Sequence, residues 1–212
     1  MRSTPQRDGA ELTACAERDD KTRYFCACVC ACAAWALPHA AHAMHLSDGV
    51  LPLDSCLGWG AAAAACIALA LARFDRARLH DPQLTPLLAM LGAAVFAISC
   101  MPVPVPWVGT CSHPCGTGLA AIVVGPLFAV LLTAVALLLQ ALFLAHGGLT
   151  TLGADIISMG VAGGFAGYCV FHAARRAGLS LFAAAFLAGV LSDWATYATT
   201  ALELALGLGQ PG

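Results

Sequence analysis

Residues 117–145 read TGLAAIVVGPLFAVLLTAVALLLQALFLA, about 29 positions without a charge, interrupted at Gly125-Pro126. One crossing needs roughly 18–20 apolar residues, so this run is long for one span and short for two. Its reading decides how many times the chain crosses a membrane. The surrounding composition already implies a membrane: of 212 residues, 60% are hydrophobic and 10% charged, with a net charge of -2. Soluble domains average about a quarter charged residues. The composition therefore excludes an ordinary water-soluble enzyme and a disordered tail. Without a basic stripe to neutralise phosphates it also excludes a nucleic-acid binder. The fold class that follows is all-α, a polytopic transmembrane helix bundle embedded in lipid.

Arg2, Arg7, Arg18, Lys21 and Arg23 crowd the first residues, and Arg73, Arg76, Arg78, Arg175 and Arg176 are the only basic side chains from 44 onward. A charged start, the apolar run 25–37, Pro38 and the triplet Ala41-His42-Ala43 match a secretory signal peptide. Residues 1–43 are therefore expected to be removed, leaving a transmembrane domain at 44–212 with Met44 first. Translation starting at Met44 would expose the same amino group; an uncleaved anchor helix is the competing reading. Apolar blocks lie at 53–74, 84–101, 117–145, 156–174 and 179–208. With the mature N-terminus outside, both arginine clusters are cytoplasmic only if 117–145 crosses an even number of times. Two helices hinged at Gly125-Pro126 satisfy this. The expected crossings are 53–74, 84–101, 117–126, 127–145, 156–174 and 179–208, six in all. Segment 117–126 is too short to span alone and is expected to be a broken or tilted helix buried by its neighbours. Small-residue faces at 61–65 and 160–164 allow close helix approach. Met44-His45 and the 102–116 loop holding His113 then share the external side of the cell (inner) membrane.

A free α-amine followed by His can chelate a divalent ion through three nitrogens: the Met44 amine, the His45 backbone nitrogen and its imidazole. His113 would complete a planar four-nitrogen set. Such tetragonal geometry favours Ni(II) or Cu(II), with Co(II) also possible, over tetrahedral zinc or oxygen-loving magnesium and calcium. The amine must lose its proton to bind, so affinity should fall in acid. Ser47-Asp48-Gly49 reads as a turn folding this segment back into the protein.

Met44-His-Leu-Ser-Asp-Gly-Val-Leu-Pro52, Gly109-Thr-Cys-Ser-His-Pro-Cys-Gly-Thr-Gly118 with Gly125-Pro126, and Gln140-Ala-Leu-Phe-Leu-Ala-His-Gly-Gly-Leu-Thr-Thr-Leu-Gly-Ala-Asp155 occur in this order. Leu191-Ser-Asp-Trp-Ala-Thr-Tyr197 follows. Together they resemble the cobalt/nickel substrate-capture (S) subunits of energy-coupling-factor transporters, the CbiM/NikM type, over essentially the whole of 44–208. The resemblance implies a metal held by Met44, His45 and His113, and Co(II) or Ni(II) as transported substrate. The cobalt branch, which feeds cobalamin synthesis, is the nearer match. It also implies a transmembrane coupling (T) subunit, cytoplasmic ATPase subunits and a small accessory membrane subunit as partners. Relatives of this type usually continue with another hydrophobic helix, and they commonly carry Asn where this chain has Asp155 and a larger residue at Cys115 or Ser47.

No phosphate-binding P-loop is present, so ATP is expected to act through separate subunits. No nucleophile–base pair or H-E-x-x-H helix supports an enzyme. An ion-coupled secondary metal permease and a metal-binding sensor or structural subunit are the rivals. Cys111 and Cys115 flank His113, and loop packing or a disulfide is favoured over ligation. His146 could relay incoming metal or sit at a helix C-terminus for its dipole. His80 is expected to be solvated and His172 interfacial. Asp155 is expected to cap a helix, and Asp193 and Glu203 to make interhelical or docking contacts.

Overall fold

The computed structural model describes residues 45–101, 103–105, 110–112, 115–144 and 146–209. The expected signal peptide, Met44 and His113 lie outside these residues. Helix α1 (Leu53–His80) follows Pro52 directly. It was expected to end near residue 74 but runs on through the arginine cluster, because arginine is a good helix former and its stem can lie along an apolar surface while its head stays wet. An exposed Asp75–Arg78 pair, 2.9 Å apart, sits on this last stretch and adds little. Pro82 stops the helix by forcing Asp81 into an extended conformation (φ -132, ψ 97).

Helix α2 (Leu84–Ser99) leads into a feature the all-α reading did not contain, a two-stranded antiparallel ribbon. Strands β1 (Val103–Val105) and β2 (Thr110–Ser112) pair with Val103 opposite Ser112. Prolines at 102, 104 and 106 exclude helix and favour extended backbone. Helix α3 (Thr117–Val124) ends at Gly125, whose φ of 91 only glycine adopts easily, and α4 (Pro126–Leu144) starts with Pro126 in the first helical position. The hinge lies where Gly125-Pro126 was expected to place it. With eight residues, α3 rises only about 12 Å, so it cannot span; Ala120 and Ala121, at 0% exposure, are wrapped by neighbours.

The next span is one continuous helical stretch, Leu152–Arg176, built from α5 (Leu152–Asp155), a π-helical segment Ile156–Gly163 and α6 (Gly164–Arg176). It starts four residues before the expected 156. Ser192 donates its hydroxyl to the carbonyl of Gly163 (2.8 Å), where the π segment ends. Close approach relies on glycine here: a Cβ on Gly153 would lie 2.5 Å from the Gly60 Cα, and one on Gly167 would lie 3.0 Å from the Gly118 Cα. Helix α7 (Leu181–Leu208) is N-capped by Ser180, which accepts from Ala183 N–H at 3.2 Å. In α7 Glu203 is fully buried and Asp193 half-buried.

Four stretches, Leu53–His80, Pro126–Leu144, Leu152–Arg176 and Leu181–Leu208, are long and apolar enough to cross a membrane; α2 is a shorter apolar helix. The helices beginning at Leu53 and Leu152 both start beside residues 45–51 and end in arginine-bearing turns. The two arginine clusters therefore lie together at the end of the bundle away from the N-terminal segment, the arrangement that the charge pattern required.

Candidate metal-capture site

Residues 45–51 turn back into the bundle. Leu46 and Leu51 are buried with Cys56 and Ala154, which anchors the segment by apolar contact. Its polar backbone is satisfied by the distant 146–155 stretch. Leu46 N–H donates to Asp155 Oδ1 at 2.9 Å. The Leu46 carbonyl accepts from Gly148 N–H at 2.9 Å and from the Thr151 hydroxyl at 2.5 Å. Each of these buried groups would cost about 1–3 kcal/mol if left unpaired, so they determine where the segment rests. Asp155 therefore does not cap its helix as expected. Thr151 occupies the N-cap position, and the carboxylate holds the N-terminal segment instead.

At the rim, Asp48 Oδ1 accepts from Thr150 N–H (2.8 Å) and from the Thr150 hydroxyl (2.5 Å). These bonds, the side-chain one foremost, hold the Asp48 carboxyl below its ordinary 3.8. A depressed carboxylate pKa means the tie is in place above the ordinary value and is lost as pH falls through the lowered one. Protection of the Thr150 amide, its exchange relative to the intrinsic rate at each pH, is accordingly expected to hold from neutral pH down to about pH 4 and to fall below. In Asp48→Ala the protection is expected to be lost throughout. Unchanged protection in that variant would show that Asp48 does not hold the loop.

The result is a histidine pair, His45 buried and His146 half-buried. His45 is 5% exposed, and its ring meets that of His146 edge-on with centroids 4.5 Å apart. His146 follows α4 where the chain turns wide, its N–H donating to the Gln140 carbonyl at 3.2 Å. Of the sequence-predicted ligands, His45 is placed in this slot, while Met44 and His113 lie outside the described residues. The sequence reading singled out His146 but did not place it beside His45; the two are far apart in sequence, and no local pattern signals their meeting. The repeated Gly147-Gly148 was the available hint. Gly147 has a φ of 83, and a Cβ on it would lie 3.6 Å from His45 Cδ2.

The loop expected to bring His113 returns to the bundle at Cys115. That thiol is free and bonded to the Thr117 hydroxyl at 2.8 Å. Burial pushes it up, further from the thiolate that binds metal, in keeping with loop packing. Among the described residues no group of three or more His, Cys, Asp or Glu side chains converges as a metal cluster. At the opposite end, His172 Nδ1 lies 2.9 Å from the Tyr168 carbonyl, and His80 is exposed.

Residues 45–211 match the family model of the cobalt uptake substrate-specific transmembrane region, CbiM. A "Cobalt transport protein CbiM" of Sorangium cellulosum is 64% identical over 169 residues, which cover 80% of this chain and 75% of that one. Another "Cobalt transport protein CbiM", from Geobacter sulfurreducens, is 61% identical over 168 residues, or 79% of this chain and 49% of the relative. The chain thus spans about half the length of that second protein. The crystal structure of a transition metal transporter superposes with a TM-score of 0.69 at 30% identity, covering 76% of this chain and 70% of that chain.

Proposed function

The chain belongs to the CbiM family of cobalt-uptake transmembrane proteins, and we propose that it captures Co(II) from outside the cell at its own mature N-terminus. The donors in this reading are the Met44 amine, the His45 backbone nitrogen and imidazole, and the His113 imidazole. The observation that carries it is the docking of residues 45–51. Leu46 is bonded through both its N–H and its C=O, so the residue before it is presented to the bundle at a defined position. A chelate closed by adjacent chain atoms needs only that the segment be held still, since its rings bring their own geometry. A tetragonal nitrogen set also suits Ni(II), so nickel is the competing cargo.

Removal of residues 1–43 frees the amine in this reading. The arginine clusters at the far end of the bundle support placing that end in the cytoplasm of the inner membrane. Energy comes from ATPase subunits through a transmembrane coupling subunit, with a small accessory membrane subunit as a further partner. An ion-coupled permease would need none of these.

The test is intact mass and metal content on the purified membrane protein, with Co(II) and Ni(II) affinities. A chain starting at Met44, with about one Co(II) bound, is expected, and His113→Ala should weaken binding at least about 10-fold. Metal bound equally well by a chain starting at Met1 would overturn the N-terminal site. Cobalt uptake that persists in cells lacking the ATPase subunits would establish the permease.

A further inference from the structure

The loop between α2 and α3 enters at Ser99-Cys100 and leaves at Cys115-Thr117, and one side chain of α4 lies between its two ends. Gln140 is 1% exposed, a polar residue in an otherwise apolar helix. Its orientation follows from proton counting. Ser99 spends its single hydroxyl proton on the Phe96 carbonyl (2.9 Å), so towards Gln140 it can only accept. The Gln140 amide therefore presents its nitrogen there, with Nε2 2.7 Å from Ser99 Oγ and 3.7 Å from Cys100 Sγ.

That leaves Oε1 on the other side, buried and without a hydrogen-bond partner among the described residues. Gln140 there lines a cavity of about 10 Å³ together with Cys115, Thr117 and Thr133. This is about the room one water requires, and the wall offers polar partners. Thr133 has already committed its proton to the Ala129 carbonyl (2.8 Å), so its oxygen can accept from a water that also donates to Oε1. The Cys115 thiol and Thr117 hydroxyl, which carry two protons and share one bond, have one left to donate to that water from the loop's exit. The backbone of the same residue reaches the other half of the site, since the Gln140 carbonyl accepts from the N–H of His146, the ring packed against His45.

We propose that Gln140 is a positioning residue for metal capture. It grips the entry of the His113 loop directly, grips the exit through one ordered water, and holds both against the His45–His146 pair. The proposal rests on the reading of His113 as a ligand.

The test is a double-mutant cycle on the full mature chain in detergent, read by Co(II) affinity and by the d–d absorption of the bound ion. Gln140→Leu keeps the bulk and removes the bonds. It is expected to weaken Co(II) about 10-fold or more, the range seen when a ligand's support is lost, and to shift the d–d bands. In a His113→Ala background the same change is expected to do nothing further, because the ligand it positions is gone. Equal losses in both backgrounds, or wild-type affinity and spectrum in Gln140→Leu, would overturn the proposal. An unchanged affinity in His113→Ala alone would instead remove the capture reading, and this inference with it. Ser99→Ala and Thr117→Val open the entry and exit links separately, and each is expected to give part of the loss. They carry the same test if the leucine variant does not fold, and wild-type behaviour in both would overturn it. Gln140→Glu, protonated in this setting, retains a donor and an acceptor and should restore much of the affinity.

Discussion

Placing Ala-Gly before Met44 should lower Co(II) affinity at least about 100-fold, a loss of roughly 2.7 kcal/mol, while leaving the helices intact. The amine would lie three positions before His45, too far to close the original chelate, and the nitrogen of Met44 would become a peptide nitrogen that binds only after losing its proton. A single added residue is the weaker probe. It would make His45 third in the chain, and an amine, two peptide nitrogens and an imidazole can fill all four planar positions without His113. The two-residue extension avoids this rescue. The buried slot adds to the effect, because Leu46 and Leu51 are fixed in their cluster and the extra residues cannot be taken up by sliding the segment outward. Isothermal titration of both chains with Co(II), together with denaturation midpoints without metal, separates loss of ligand from loss of fold. Equal affinities would mean that the amine is not a donor.

The break in the third apolar run and the shared end of the two arginine clusters were legible because few charges are present and each carries weight. The Gly-Pro break placed the short α3, since a glycine at φ 91 followed by proline leaves little alternative to a hinge. Features that depend on tertiary fit were not legible. The π segment Ile156–Gly163 packs where added Cβ atoms on Gly160 and Gly163 would run into Thr133 and Thr196 of other helices, a fit no single helix encodes. Helix α1 runs past the expected boundary because a hydropathy edge marks where lipid ends and not where hydrogen bonding ends. Asp155 looked like a helix cap because its partner, the Leu46 N–H, is more than 100 positions away. Gln140 carried no separate signal for the same reason: its partner Ser99 lies about 40 positions earlier, at the end of another helix. For the proposed site, sequence reading therefore offered the donor chemistry of adjacent residues, Met44 and His45. The scaffold that holds it is a long-range assembly of loop 146–155.

Gly148→Ala tests that scaffold at its tightest point. A methyl group there would lie 2.5 Å from Asp48 Oδ1, 2.5 Å from Thr151 Oγ1 and 2.6 Å from the Asp48 backbone nitrogen. The two side-chain oxygens are the acceptor for Thr150 and the donor to Leu46, so neither can swing away without breaking a tie. The backbone nitrogen cannot move without shifting the whole segment. Overpacking of this kind costs about 1–3 kcal/mol, and the Gly148 N–H bond to Leu46 would be strained as well. The cost falls on the docking of residues 45–51, because the α2–α3–α4 core around Leu88, Val95, Ala121 and Ala129 is a separate cluster. Co(II) affinity should drop about 10-fold or more, with faster amide exchange at Leu46 and a small change in the metal-free melting temperature. Gly147→Ala is the control. It has room for a methyl at 3.5–3.8 Å and is opposed by its φ of 83, which costs a non-glycine residue about 1 kcal/mol. Its loss should be the smaller of the two. A Gly148→Ala protein with wild-type affinity and slow Leu46 exchange would mean that the N-terminal segment is not seated against this loop when the metal is bound.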